Sequence, residues 1–413
     1  MKPSLPIPSP SLSFWHRTTR AFPHLNANCQ ANVPASVKFL IIGSGIAGSL
    51  TAWKLIESGV KGEDIVILEA REAVSGATGR NAGHIRPDAF RGFPVFSAIH
   101  GPEQARKILE NEIVVLEEVK KFVETNNIAC DFNYTNTFDV CLSQEFADHQ
   151  AKGIAEYKAA GGDVSHVKYY DGDEAKAKTR IPTALCAYEW PAASNHPAKL
   201  CQWILNDAIN KGCRLWTHCP ATKVVKHEGP AETGLRWDVH TPRGIISAET
   251  VIHCTNAYAA ALLPELADFV TPRQAQAQSF VPTPSISGGS IFSHTMSLRY
   301  GLHCFFSFHQ RQTDGMIIFG GTGSRDPKTP FDQITFDDSR FSDEIFRNSA
   351  KEFSDMARSP TLRHGEGFDH SWTGIIAMTP DSVPLVGPVE GCEGQWICAG
   401  FNGHGEYYFY CIA

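Results

Sequence analysis

Two glycine-rich runs carry residue types that could hold a phosphorylated cofactor. The first is GSGIAG, in which Gly43, Gly45 and Gly48 repeat the spacing of a dinucleotide fingerprint. Gly43 permits a tight turn, Gly45 lets the backbone approach a pyrophosphate, and Gly48 lets a helix pack closely on a strand. Ser44, Ile46 and Ala47 fill out the turn and open the helix, whose first N–H groups lack partners within the helix and attract phosphate. Glu69 follows about twenty residues on, where a carboxylate can accept from ribose hydroxyls. That carboxylate argues for an unphosphorylated ribose, as in FAD or NAD, and the fingerprint does not choose between them. The second run is SGATGRNAGH, Ser75 to His84. Its hydroxyls, amide and backbone N–H groups suit a path along a pyrophosphate and its attached chain, and suit a solvated surface loop equally well.

These runs need elements to position them. VKFLII (37–42) reads as a buried parallel strand, LTAWKLIESG as a helix with Gly59 just past its end, and DIVILEA as a second buried strand. Together they make a β-turn-α-β unit. From Pro102 to Asn126 apolar residues recur at helical period. FDVCLS is strand-like, and the run from Gln144 to Gly161 is helical. Pro197 to Lys211 is a helix stopped by Gly212, followed by the strands CRLWTH, TKVVKHE, LRWDVHT and TVIHCTN. LHCFFSFHQRQTDGMIIFGG reads as a hairpin about its Asp-Gly turn. Residues 341–357 read as a helix with Phe341, Ile345, Phe346, Phe353 and Met356 on one face, and VPLVGPV and QWICAGF as closing strands. The expected organisation is an extended arm over 1–36, laid over the surface with Phe14 and Trp15 as its anchors. A cofactor domain is expected from 37–115, 192–271 and 365–413, and a substrate domain from 116–191 and 272–364.

Composition narrows the class. A 413-residue chain with 42% hydrophobic and 20% charged residues supports a large core, and a net charge of −7 argues against a nucleic-acid partner. No apolar run reaches the roughly 18 residues needed to span a bilayer. The first residues lack the apolar stretch of a secretory signal, so a cytoplasmic, reduced environment is expected for the twelve cysteines. Neither they nor the seventeen histidines show metal-ligand spacing, so no metal is expected. Oligomeric state is not legible.

The sequence resembles the D-amino-acid-oxidase-like FAD-dependent oxidoreductases, the group with glycine oxidase, sarcosine oxidase and γ-glutamylputrescine oxidase. The resemblance rests on IIGSGIAGSLTAWKLIESG, ILEAREAVSGATGRNAGH, VIHCTNAY (251–258), TGIIAMTPDSVPLVGPV (373–389) and GFNGHG (400–405), and runs from about Ser13 to Gly405. It implies an α/β fold: a Rossmann-like FAD domain with a discontinuous substrate domain built on an antiparallel sheet. It implies that Gly43 to Gly48 hold the pyrophosphate, that Glu69 and Ala70 meet the adenosine ribose, and that Arg71 lies near the adenine, where the backbone of Val224 also arrives. Ser75, Gly76, Ala77, Thr78, Gly79 and Arg80 would follow the diphosphate-ribityl path. Asn81, Ala82, Gly83 and His84 would lie nearest the isoalloxazine. Thr255, Asn256 and Gly374 fall in matching motifs, and Asn402, Gly403, His404 and Gly405 would close over the ring. Gly374 stands where sarcosine-oxidase-like proteins carry a flavin-linking cysteine, so no such link is expected, although a histidyl link through His84 is an alternative. The ending EYYFYCIA departs from the family, whose chains continue into a helix facing the flavin.

The implied reaction is oxidation of a C–N bond of a small amine or amino acid by hydride transfer to flavin N5, with oxygen as acceptor. His84 is the candidate base or orienting group, and Arg273 the candidate partner of a substrate carboxylate. Trp372 and Tyr300 could line the pocket or simply fill the core. A flavin monooxygenase using NAD(P)H is a rival reading, but FGGTGS (319–324) lacks the spacing of a second nucleotide site. A chain inactive because of its altered ending is a third.

Overall fold

The computed structural model describes residues 1–326, 333–358 and 361–404. The first of its two sheets has eight strands, in the order Leu385–Pro388, Gln395–Ala399, Gly244–His253, Ser36–Ile42, Ile65–Leu68 and Arg214–Trp216, with Lys223–Lys226 and Trp237–Thr241 branching from Gly244–His253. Its centre is parallel: Ser36–Ile42 pairs with Gly244–His253 on one side and Ile65–Leu68 on the other. Strands covered on both faces must be apolar throughout, and Ile65 to Leu68 are buried without exception. The helices Ile46–Glu57 and Pro197–Asn210 pack on this sheet in one shared core. Gly59 ends the first helix at φ +96°. This is the expected Rossmann-like layer.

The second sheet has ten strands and is mostly antiparallel. Its order runs Gln333–Ile334, Thr271–Val281, Ile317–Gly321, Phe305–Gln310, Thr295–Arg299, Asn133–Cys141, Cys186–Ser194 and His84–Ile85. Gly367–Met378 also pairs with Thr271–Val281, and Lys168–Asp171 with Cys186–Ser194. The expected Asp-Gly hairpin forms, with Gly315 at φ +76° between its strands. One pairing is parallel, Thr295–Arg299 with Asn133–Cys141.

Two expectations are corrected. Residues 14–17 are a short helix capped by Ser13, not an extended segment, and their anchors Phe14 and Trp15 are buried. They pack with Ala198, Ala277, Ile318 and Trp372, between the two sheets. Phe341 precedes the helix Asp343–Ala357, whose N-cap is Ser342, and is exposed, while Ile345, Phe353 and Met356 are buried as expected. Among the described residues no helix is long and apolar enough to cross a membrane.

Candidate active site

The first glycine run forms a cradle that side chains would fill. A Cβ on Gly43, which sits at φ +112°, would lie 2.4 Å from the Cys254 carbonyl oxygen, and one on Gly48 would lie 1.9 Å from the Gly43 carbonyl oxygen. Gly45 caps the helix Ile46–Glu57 without a side-chain bond, and the Ile46 N–H donates to Thr78 Oγ1 at 2.9 Å. That bond ties the second glycine run to the helix N-terminus, where the dipole favours an anion. Glu69 is buried at the end of its strand. Its Oε2 accepts from the N–H and hydroxyl of Ser44, at 3.0 and 2.7 Å, and its Oε1 from the Arg71 N–H at 3.0 Å. With two lone pairs on each oxygen, Oε1 keeps room for a hydroxyl donor.

Arg71 turns away from solvent. Its Nη1 donates to both oxygens of Asp338, at 3.0 and 2.9 Å, and its Nη2 to the Ser75 carbonyl. Burial, the largest single cause, opposes its charge, but Asp338, Tyr258 and Glu69 together outweigh it and leave its pKa raised. Val224 is half-buried on Lys223–Lys226.

The second run is a built loop, not a solvated one. Arg80 donates to the carbonyls of Ser75, Ser11 and Thr373, at 2.8, 2.7 and 2.9 Å. Burial lowers its pKa to about 10, with Asp338 opposing, so it stays charged at neutral pH. The Asn81 side chain donates to the Thr78 carbonyl and accepts from the Gly83 N–H. Gly374 is packed from the other side: a Cβ there would lie 3.0 Å from that of Arg80. Gly43, Gly45, Ala70, Gly76, Ala77, Thr78, Asn81, Ala82 and His84 are only half-buried, while Ser44, Ser75, Gly79, Arg80 and Gly83 between them are buried. These half-buried positions run from the strand ends of the first sheet to His84, which pairs with Ser194 at the edge of the second.

His84 and His309 meet there with ring centroids 5.1 Å apart at 78°. Both are held neutral. Burial pushes the His84 pKa well below its ordinary value, and His309 and Arg86 push it further. Burial and then Arg311 bring His309 down to about 3. The ring nitrogens of His84 and the amide of Asn195 are buried without hydrogen-bond partners. So are the hydroxyls of Thr255 and Tyr258, which follow Cys254, the residue packed against Gly43. Two residues past His84, Arg86 bonds Asp139, which also accepts from Arg91 and Gln150. Burial raises the pKa of Asp139, but Arg86, Arg91 and Arg299 outweigh it and hold the carboxylate far below its ordinary range.

The other candidates fall in different places. Arg273 lies on Thr271–Val281 opposite Ile376. Tyr300 bonds Glu352 in a separate core. Trp372 is fully buried and donates to the Arg80 carbonyl. Asn256, at φ +44°, accepts from the N–H groups of Gly400 and Phe401. Asn402 accepts from the Thr379 N–H. The N–H groups of Asn402 and His404 are spent internally, on the carbonyls of Ala377 and Phe401. Gly403 is exposed. His404 reaches Glu112 at 3.4 Å: burial works against its charge, and Glu112 raises its pKa above the ordinary value. Gly405 and the residues after it lie outside the described residues. Sequence reasoning missed Trp15, His309, Asp338 and Asp139, because none sits in a motif and each acts through long-range contacts.

The cradle and the unpartnered atoms fit FAD. The glycines let the turn pack where a Cβ would collide with backbone, the helix N-terminus and Thr78 suit a diphosphate, and Glu69 retains an acceptor for a ribose. The half-buried loop then leads to two histidines held neutral, His84 and His309. Comparison with known proteins agrees. The chain is 23% identical over 384 residues to gamma-glutamylputrescine oxidoreductase of Escherichia coli, covering 88% of this chain and 79% of that protein. Among solved structures it is similar to L-proline dehydrogenase from P. horikoshii, at TM-score 0.71 and 21% identity, over 92% of each chain. It is also similar to glycine oxidase from Geobacillus kaustophilus, at TM-score 0.71 and 18% identity, over 92% of this chain and 93% of that one. The profile of the FAD dependent oxidoreductase (DAO) family matches residues 38–406, and with a match of that extent this chain belongs to that family.

Proposed function

We propose that this protein oxidises the C–N bond of a small amine or amino acid, with molecular oxygen as the final acceptor. FAD, when bound, supplies the acceptor for a hydride from the carbon beside nitrogen. The observation that carries the substrate class is the charge state of the His84–His309 pair. The groups that lower the pKa of His84 and His309 are burial and then cationic neighbours, Arg86 and Arg311. The same surroundings disfavour an ammonium ion, so a bound amine would be held neutral, the form that can give up hydride. In this reading His84 is not a proton store. It orients the amine through a neutral ring nitrogen, and positioning replaces general-base catalysis. The segments that build the first sheet then form the cofactor body, and those that build the second form the substrate body.

The test begins with the visible spectrum of the purified protein, before and after acid precipitation. Flavin absorption that moves into the supernatant is expected, followed by peroxide release from at least one member of an amine and amino-acid panel. A protein that neither carries nor takes up FAD would sink the proposal. With an active substrate, kcat/KM is expected to rise with pH toward the pKa of the free amine and to show no limb near pH 6.5. A limb there would give a titrating histidine the role denied to it above.

A further inference from the structure

The family match begins at residue 38, yet the wall behind the cofactor loop is built from residue 11 onward. The indole N–H of Trp15 donates to the Asn81 carbonyl at 2.7 Å, and His16 Nε2 donates to the Val74 carbonyl at 3.0 Å. The backbone carbonyl of Ser11 takes Arg80 Nη1, and its hydroxyl accepts from the Thr373 N–H. The segment helps to close the space at Gly79 and Gly83: a Cβ would lie 2.4 Å from the Val74 carbonyl oxygen and 2.6 Å from His16 Nε2 at the first, and 2.9 Å from the Asn195 carbonyl oxygen and 3.0 Å from the Trp15 ring at the second. Trp15 is fully buried, lies parallel to His309 at 6.5 Å, and meets the His196 ring at 4.7 Å.

The planarity of the peptide bond gives these contacts a direction. In a trans peptide the C=O and the following N–H point opposite ways. Trp15 fixes the Asn81 carbonyl on the arm side, so the Ala82 N–H is aimed away from the arm, along the half-buried face of the loop. The segment is itself pinned at both ends. The Ser11 N–H donates to the Asp338 carbonyl, while Arg17 pairs with Asp369 and Arg20 with Glu72.

We propose that Ser11–Thr19 is a strap that positions FAD, with Trp15 its main positioning residue; this rests on the flavoprotein reading above. The strap sets the peptide planes of the loop before the cofactor arrives. Such preorganisation is worth affinity because less order must be gained on binding. By linkage, the cofactor must in turn stabilise the strap.

Three measurements on the full chain test this. Wild type, Trp15→Phe and a distant control, the exposed Trp396→Phe, are titrated with FAD and followed by flavin fluorescence and visible absorption. Amide hydrogen exchange is measured with and without FAD. Trp15→Phe is expected to raise the FAD dissociation constant about tenfold, to shift the bound flavin spectrum, and to speed exchange over 74–84 in the FAD-free protein; the control is expected to match wild type. In wild type, FAD is expected to slow exchange at 11–19, a result that needs no variant and stands even if Trp15→Phe does not fold. Unchanged affinity and spectrum in a folded Trp15→Phe would overturn the strap while leaving the flavoprotein reading intact. So would exchange at 11–19 that does not respond to FAD. Wild type that takes up no FAD would overturn both, and is distinguished from the other failures by that fact.

Discussion

Between pH 7 and pH 5 the folded protein is expected to lose about 4 kcal/mol of stability through two histidines. His309 and His196 are both lowered to about 3, by burial first and Arg311 next, with Lys199 a further cause at His196. Both are fully or almost fully buried. His196 is also locked in its neutral form. Its Nδ1 accepts from the Lys199 N–H, so its Nε2 carries the proton and donates to Thr18 Oγ1. Below the unfolded value of about 6.5 the unfolded chain takes up protons that the native state refuses. Stability therefore rises with pH across the window from about 3 to about 6.5. The contribution is complete above 6.5 and is lost as pH falls. At pH 5 each group is about 1.5 units into that window, which at about 1.4 kcal/mol per unit gives about 2 kcal/mol each. His404 has the opposite sign: Glu112 raises its pKa, so its contribution is complete below 6.5 and fades as pH rises through the raised value. Asp139, held far below the ordinary carboxylate range, adds nothing to the drop at pH 5. Urea unfolding at the two pH values checks this, and an unchanged midpoint would contradict the burial of His309 and His196 as neutral rings.

Gly48→Ala is expected to cost about 3 kcal/mol or more and to weaken FAD binding at least a hundredfold. The added Cβ would lie 1.9 Å from the Gly43 carbonyl oxygen and 3.1 Å from Ile41 Cγ2. A flexible side chain could swing aside; a backbone carbonyl cannot. Gly43 has no room to retreat, because it already lies against Cys254 at a φ that favours glycine. Helix and strand would have to separate, and the helix N-terminus would leave the position that Thr78 now shares with it. Gly76→Ala is the matched control. It has nothing within 4 Å of an added Cβ and φ −76°, so its stability is expected to stay within about 0.5 kcal/mol. A Gly48→Ala protein that unfolds and binds FAD like wild type would refute the packing argument.

The parallel sheet was legible because each of its features has a local cause. An apolar β-branched run, three glycines at fixed spacing and a carboxylate at the next strand end specify one another within a short stretch. The helices Pro102–Thr125, Gln144–Ala159 and Pro197–Asn210 were legible from period and stop signals for the same reason. The arm was not. Phe14 and Trp15 have no periodic neighbours, and their burial depends on partners more than 170 residues away, Ala198 and Trp372 among them. Asp338 and Asp139 were invisible on the same grounds: a lone acidic residue gives no sign of the arginines that surround it.

One pairing also bears on how the protein is made. Leu40 sits beside Val251 in the central parallel pair, so the strand that carries the glycine cradle waits for a partner about 210 residues further along. At about 5–20 residues per second that is roughly 10–40 s of synthesis. Throughout that interval a strand whose Leu40, Ile41 and Ile42 are buried in the finished sheet has one open edge on the ribosome. Nascent chains of this protein should therefore depend on chaperones until Gly244–His253 has emerged, and stalling before that point should be far more damaging than stalling after it.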